Sequence, residues 1–205
     1  MHIGSGEGNV AQSGHAELAR IPRLRLEARR GRWGIAFNAL YLSLGNEEPA
    51  GPGVTAHWDF DMVMVELFAM YRFANVPLGC GDACFRPTMT VDAYGGARYI
   101  HAETKLDYDP GPNAEGTTDL VDPVIGVRAM FHVTPTLLFT VSGDVGGFGV
   151  GSELSWQAFA GVEWNVSQRV SINAGWMILA IDSEKGLNDF DLTMSGPSIG
   201  ATIRF

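Results

Sequence analysis

The sequence lacks the features of several common protein classes. Among its 205 residues, 14 are Lys or Arg and 23 are Asp or Glu, so the formal net charge at pH 7 is -9. Proteins that bind nucleic acids contact phosphates through clustered basic residues, and this balance therefore argues against a nucleic-acid partner. No run of 18 or more apolar residues is present, which excludes a transmembrane helix. Residues 1–20 do not show the pattern of a secretory signal, and we interpret them as a flexible polar leader.

Cysteine and histidine are also scarce. Cys80 and Cys84 are the only cysteines, and two cysteines alone do not make a zinc site. In an oxidising compartment they can form a local disulfide, and otherwise they are two free thiols. The five histidines are His2, His15, His57, His101 and His132. None of them belongs to a recognisable Ser–His or Asp–His grouping, so we predict no catalysis, no cofactor and no metal site.

Glycine, in contrast, is abundant. The chain has 26 glycines, about twice the usual ~7% of a globular protein, and glycine is costly inside helices. Apolar and polar residues alternate, which is the period of a β-strand with one apolar face. The alternation predicts eight strands and a weaker ninth at 23–30. The eight cover residues 33–41, 62–73, 90–99, 121–133, 137–145, 153–166, 169–180 and 197–205.

The connections between these strands are alternately short and long. Tight connections lie at 30–31, 134–135 and 167–168, and long ones lie at 45–60, 103–120, 146–152 and 182–189. The connection at 77–87 is long where a short one is expected. Such alternation is typical of a meander of antiparallel hairpins. We therefore predict an all-β protein in which residues 21–205 form one antiparallel up-and-down β-barrel domain.

The two faces of the strands distinguish a soluble barrel from a membrane barrel. A soluble lipocalin-like barrel has an apolar interior, whereas an outer-membrane barrel has a lipid-facing apolar band and a polar lumen. One face here is continuously apolar and aromatic, and the other carries charges, which favours a transmembrane barrel. We predict that the charges form an ion-pair network that plugs the lumen, because buried charges must be paired. Its members are Glu66, Arg72, Asp92, Arg98, Asp122, Arg128, Asp144 and Glu163.

The last residues resemble the assembly signal of bacterial outer-membrane barrels. That signal places a polar residue, a glycine, an apolar residue and a terminal aromatic at fixed spacing, and Ser198, Gly200, Ile203 and Phe205 fill these positions. The final strand would present an apolar stripe and an unpaired edge. Such an edge can template pairing with the outer-membrane assembly machinery.

Further segments resemble a family of uncharacterised Gram-negative outer-membrane barrel proteins, of the small OmpA/OmpX-like kind. The resemblance is carried by residues 32–34, 95–99, 122–128, 143–149 and 196–200. It implies a location in the bacterial outer membrane, in contact with its lipid and lipopolysaccharide. Family members begin with a secretory signal and at least one further strand, so we expect an N-terminal truncation. Bacterial barrels have even strand numbers, which predicts eight strands, or ten with one missing upstream.

The expected role is structural or surface interaction, without catalysis. Two alternatives stay open. One is a porin-like narrow channel or small-solute binder, whose lumen would conduct or hold a solute. The other is a soluble lipocalin-like barrel with a ligand in an apolar interior.

Overall fold

A computed structural model describes residues 21–51, 54–78, 86–109, 113–183 and 190–205. These residues form nine strands that follow one another around a closed barrel. The strands are β1 (Ile21–Arg30), β2 (Trp33–Gly51), β3 (Val54–Pro77), β4 (Thr88–Asp109), β5 (Ala114–His132), β6 (Leu137–Gly147), β7 (Leu154–Asn165), β8 (Val170–Ser183) and β9 (Phe190–Arg204). Within the described ranges, no helix could serve as a membrane span. The predicted leader and the pair Cys80 and Cys84 lie outside these ranges.

The barrel is closed by a parallel pair of strands. β1 pairs with β2 in antiparallel fashion and with β9 in parallel, from Ile21 opposite Ser198 to Glu27 opposite Arg204. The weak strand predicted at 23–30 is thus confirmed, but the prediction of eight or ten strands is wrong. An even number is needed only when every neighbouring pair is antiparallel. With nine strands in a meander, the first and the last run in the same direction and must pair in parallel.

The connections define two ends of the barrel. At the turn end lie the turn at 31–32, the end of β3, the start of β4, the turns at 133–136 and 166–169, and Phe205. At the loop end lie the last residues of β2, β4, β6 and β8. Segments 45–60 and 103–120, predicted as loops, are largely strand, as in the pairing of Gly45 with Asp59. Their exposed residues include Asp59, Lys105 and Asp119, so the apolar alternation stops while the hydrogen-bond ladder continues.

The interior has two halves of different chemistry. The loop-end half holds an apolar cluster, and the turn-end half holds most of the charges. The apolar cluster comprises Leu40, Leu42, Phe60, Met62, Met64, Ile100, Ala102, Leu120, Phe159, Met177, Leu179 and Ile181. Small residues make room for it, since a Cβ at Gly161 or Gly175 would lie 2.6 or 2.9 Å from the Phe159 ring. The polar lumen expected along the whole barrel is therefore confined to the half near the turns.

The outside of the barrel carries a continuous belt of apolar side chains, which we call the outer band. Its members are more than a third exposed on every strand from β1 to β9. They include Leu24, Trp33, Ile35, Tyr41, Val63, Leu67, Tyr99, Val121, Ile125, Val127, Phe139, Val141, Val145, Trp156, Trp164, Ile172, Trp176 and Ile199. Trp33 packs on Tyr71 with ring centroids 4.9 Å apart. A folded chain rarely leaves so large an apolar surface in water.

The closing strand leaves no free edge. β9 is paired with β8 along one side and with β1 along the other. Ser198 and Gly200 are buried at this seam, and a Cβ at Gly200 would lie 2.7 Å from the Arg23 carbonyl oxygen. Ile203 is half-buried and Phe205 is exposed. The unpaired edge expected for the last strand is thus absent from the closed barrel, and any pairing with an assembly machine has to precede closure.

Candidate functional site in the charged lumen

The middle of the lumen is crossed by an ion-pair cluster around Arg98. This fully buried guanidinium donates from Nε to Glu66 Oε1 (2.8 Å) and from Nη2 to Asp144 Oδ1 (2.6 Å). Asn38 Nδ2 donates to the second oxygen of Glu66 at 2.8 Å, and Tyr94 donates its hydroxyl to Asp144 at 3.0 Å. Asn38, Glu66 and Arg98 are direct neighbours in the register of β2, β3 and β4. We call this group the middle cluster.

A second group, the turn-end cluster, lies nearer the turns. Asp92 is fully buried and accepts hydrogen bonds from Arg29, Arg72 and Arg128, each with a shortest distance of 2.9 Å. Arg72, Asp92 and Arg128 are neighbours in the register of β3, β4 and β5, so the strand pairing itself aligns cation, anion and cation. Glu27 of β1 completes the cluster from across the barrel.

Glu27 binds three guanidinium groups. Its carboxylate accepts from Arg25 (3.1 Å), Arg29 (2.9 Å) and Arg128 (3.0 Å). Beside this cluster, Arg204 donates to Glu163 and to Asn165, and Ser171 donates to the same glutamate. Five arginines thus surround three carboxylates at this end of the lumen, which leaves an excess of two positive charges.

A cavity of about 340 Å³ opens beside these groups at the turn end. We call it the turn-end cavity. It is lined by Glu27, Arg29, Arg72, Arg128, Met130, His132, Leu138, Asn165, Arg204 and Phe205. Two buried nitrogens of lining residues, Arg128 Nε and His132 Nδ1, have no hydrogen-bond partner in the described part of the chain. The cavity can therefore accept a group that brings negative charge and hydrogen-bond acceptors.

The predicted network residues divide among separate groups. Glu66, Arg98 and Asp144 meet in the middle cluster, Arg72, Asp92 and Arg128 meet in the turn-end cluster, and Glu163 pairs with Arg204. Asp122 is buried beside Arg98 in the register of β4 and β5, but among the described residues it makes no ion pair with these arginines. It accepts hydrogen bonds from the backbone N–H of Ser152 (2.7 Å) and from its hydroxyl (2.6 Å), and so anchors the loop between β6 and β7.

Sequence reasoning missed Arg25, Glu27 and Arg29 because they lie on the weakest predicted strand. A signal was nevertheless present. In β1, the charged residues at 23, 25, 27 and 29 alternate with Leu24, Leu26 and Ala28. This is the same division between charged and apolar faces that the other strands show, with the charges pointing into the lumen.

A small polar cluster also lies on the outer wall, beyond the outer band toward the loop end. His101 contacts Asp119 (2.8 Å) and Glu103 (3.3 Å), and the Tyr99 hydroxyl donates to the same Asp119 oxygen at 2.6 Å. The hydrogen bonds to Asp119 and Glu103 raise the pKa of His101 above its ordinary value. In the described ranges, no group of three His, Cys, Asp or Glu side chains is arranged to hold a metal ion.

No protein-family model, curated protein or solved structure matches this chain. The resemblance to Gram-negative outer-membrane barrels stays a prediction that rests on short sequence segments. Any function has to be argued from the barrel wall, the filled lumen and the turn-end cavity.

Proposed function

We propose that this chain is a small β-barrel of the bacterial outer membrane, with a lumen closed by its own side chains and a structural or surface-interaction role. The observation that carries the proposal is the outer band. Its side chains would face water in a soluble barrel and lipid in a membrane barrel, and lipid stabilises an apolar surface that is present on every strand of the barrel.

The height of the outer band supports this proposal. On β2 it extends from Trp33 to Tyr41, after which the outward Ser43 is polar. Nine residues at ~3.3 Å each, tilted by ~40°, give a height of roughly 23 Å, close to the ~25 Å apolar band of outer-membrane barrels. A transmembrane strand of this kind needs about 9–11 residues.

The two borders of the outer band carry aromatic residues with polar tips. Trp33 and Trp164 lie at the turn-end border. At the other border, Tyr41 donates its hydroxyl to Asp61 (2.9 Å) and Tyr99 donates to Asp119 (2.6 Å). Each tyrosine therefore has its ring in the apolar belt and its hydroxyl in the polar layer just beyond. This is the arrangement that Trp and Tyr adopt at a membrane interface.

The filled lumen supports a role other than conduction. Arg98, Glu66 and Ile100 are almost completely buried. An ion that entered from the turns would have to break the middle cluster and then cross the apolar cluster, where nothing replaces its hydration shell. Outward surfaces therefore remain for interaction, and lipid, lipopolysaccharide and the assembly machinery are the partners that this location implies.

The test is a charge placed at the centre of the outer band. Leu67 is 59% exposed on β3, so Leu67→Arg would be tolerated by a soluble barrel. In a bilayer we expect it to lower the free energy of unfolding by about 2–4 kcal/mol. Ser43→Arg is the matched control, because Ser43 is also exposed and points outward, on the neighbouring strand but beyond the band.

The measurement is denaturant unfolding of the chain refolded into phosphatidylcholine vesicles, with the mobility of boiled and unboiled samples on gels as the check for a folded barrel. The vesicles are also expected to stay impermeable to small ions. Equal stability of both variants, together with a monodisperse β-protein in plain buffer, would contradict the membrane proposal and favour a soluble barrel.

A further inference from the structure

We propose that the turn-end cavity binds a phosphate group carried by a small organic ester. This inference goes beyond a structural role for the barrel. It rests on the lumen and not on the outer wall, so it holds whether or not the barrel lies in a membrane.

The first argument for the proposal is the charge of the side chains that line the cavity. Four arginine side chains and one glutamate side chain line the turn-end cavity. Together with Arg25, Asp92 and Glu163, which form ion pairs with the lining residues, they leave an excess of two positive charges. Asp92 and Glu163 hold these arginines in place but do not line the cavity. The guanidinium groups are thus fixed by carboxylates on one side and present a positive surface on the other. A ligand dianion compensates this surface better than chloride or a monoanion.

The second argument for the proposal is that Arg128 has a hydrogen-bond donor without an acceptor. Both Nη atoms of Arg128 bind carboxylates, Nη1 to Glu27 (3.0 Å) and Nη2 to Asp92 (2.9 Å), which fixes the plane of the guanidinium. Its Nε is buried and has no partner within the described residues. An arginine cannot release the proton, so Nε–H needs an acceptor. Leaving a buried donor unpaired is costly. Nε has almost no accessible surface, so a bound anion would reach it after a small shift of the lining side chains, and an oxygen of that anion would then remove the cost.

The shape of the site favours phosphate over carboxylate. Arg29, Arg72, Arg128 and Arg204 come from β1, β3, β5 and β9, so the donors approach from different sides of the barrel. A tetrahedral phosphate accepts hydrogen bonds in several directions, whereas a carboxylate pairs in one plane with a single guanidinium fork.

The cavity also has room for more than the anion. Its volume of about 340 Å³ falls in the range of sites for small organic ligands, ~300–1,000 Å³. Met130 and Leu138 supply apolar lining beside the arginines. Phosphate with a short organic substituent therefore fits this lining better than the inorganic ion. The same group could arrive on a soluble ester or on a phospholipid headgroup, and the experiment separates these sources.

The experiment is isothermal titration calorimetry of the full chain, folded in a maltoside detergent that contains no phosphate, at constant ionic strength. The probes are glycerol 3-phosphate, inorganic phosphate, acetate and a short-chain phosphatidic acid, a lipid that carries the same phosphomonoester group. We expect one site that binds glycerol 3-phosphate at least about tenfold more tightly than acetate. Tight binding of the phosphatidic acid with weak binding of the soluble ester would assign the site to a lipid headgroup.

Arg72→Gln tests the site with little risk to the fold, since Asp92 keeps Arg29 and Arg128 as partners. We expect it to weaken binding about tenfold through loss of a charge-assisted donor. Arg32→Gln is the control, because Arg32 is exposed in the turn before β2 and does not line the cavity. That variant is expected to change affinity by less than about twofold, the effect of a screened distant charge.

A measurement on the unmodified chain tests the same site without depending on whether the variants fold. NMR spectra of the histidine side chains should show that glycerol 3-phosphate shifts the His132 ring signals and leaves those of His101, at the other end, unchanged. The proposal is overturned if no probe binds in the millimolar range, or if Arg32→Gln weakens binding as much as Arg72→Gln. Failure here leaves the membrane proposal intact, because the Leu67→Arg test depends only on the outer wall.

Discussion

The two halves of the lumen differ in chemistry although the same strands build both. In one layer of the barrel, Leu40, Met64, Ile100 and Leu120 are consecutive neighbours across β2 to β5. The next layer toward the turns, two residues away on each strand, consists of Asn38, Glu66, Arg98 and Asp122. The change from an apolar to a charged interior therefore takes place within about 7 Å along each strand.

This difference shows what alternation does and does not determine. A period of two residues determines which side chains point inward. The position along the strand determines whether the interior at that level is apolar or charged. In this barrel the loop-end half closes the lumen by apolar packing. The turn-end half closes it by ion pairs together with a small apolar cluster of Ala36, Phe68, Met70 and Val124, and it leaves a cavity at its end. The cavity is therefore a property of the turn-end half alone.

The largest effect on the free energy of unfolding is expected for a substitution of Arg98, the residue that binds both carboxylates of the middle cluster. Arg98→Met removes the cation between Glu66 and Asp144 and leaves two buried carboxylates facing each other. We expect the free energy of unfolding to fall by about 3–5 kcal/mol, the cost of breaking a buried ion pair from one side. Denaturant unfolding of the folded barrel in detergent measures it.

Arg30→Gln serves as the control for Arg98→Met, because Arg30 is an exposed arginine at the end of β1. Adding Glu66→Gln and Asp144→Asn to Arg98→Met should restore part of the lost stability, since both uncompensated charges are then removed. A loss no greater than that of Arg30→Gln would show that the middle cluster contributes little to holding the barrel closed.

A smaller effect is expected in the apolar half, two residues further along the same strand. Ile100 is fully buried against its neighbours in the apolar cluster. Ile100→Val deletes one methylene group and should cost about 0.5–1.5 kcal/mol in the same unfolding measurement. The matched variant Ile125→Val changes a side chain that is 58% exposed on the outside of β5, and it should cost less. If Ile100→Val cost as much as Arg98→Met, the two halves would not differ in how they close the lumen.

The sequence was sufficient to predict the barrel and the direction of its side chains. Alternation located all nine strands, including the weak one at 23–30, and assigned Glu66, Arg98, Asp144, Arg72, Asp92 and Arg128 to the face that turned out to be inside. These assignments need only local information, because the side-chain period is a property of a single strand.

Register and closure could not be predicted, because both depend on contacts between distant segments. Glu27 and Arg128 bind across the barrel although 101 residues separate them. The bond between Asp122 and Ser152 depends on a loop that folds back over the end of the short strands β6 and β7. The odd strand number likewise follows from the direction in which β1 meets β9, and neither strand encodes that direction by itself.

The smallest effect on stability is expected for the ion pair between His101 and Asp119 on the outer wall. This exposed pair serves as a comparison for the buried ion pairs of the lumen. The hydrogen bonds that the His101 ring donates to Asp119 and Glu103 raise its pKa above 6.5. Because the folded state binds the proton more tightly, the stabilisation is fully present below about pH 6.5 and is lost as the pH rises through the folded pKa. An NMR titration of the His101 ring measures this, with Asp119→Asn as the comparison. We expect the pKa of His101 to fall toward the ordinary value in that variant. An unchanged pKa would mean that Asp119 does not bind the imidazolium in solution, and that surface ion pairs on this wall contribute nothing measurable beside the buried clusters.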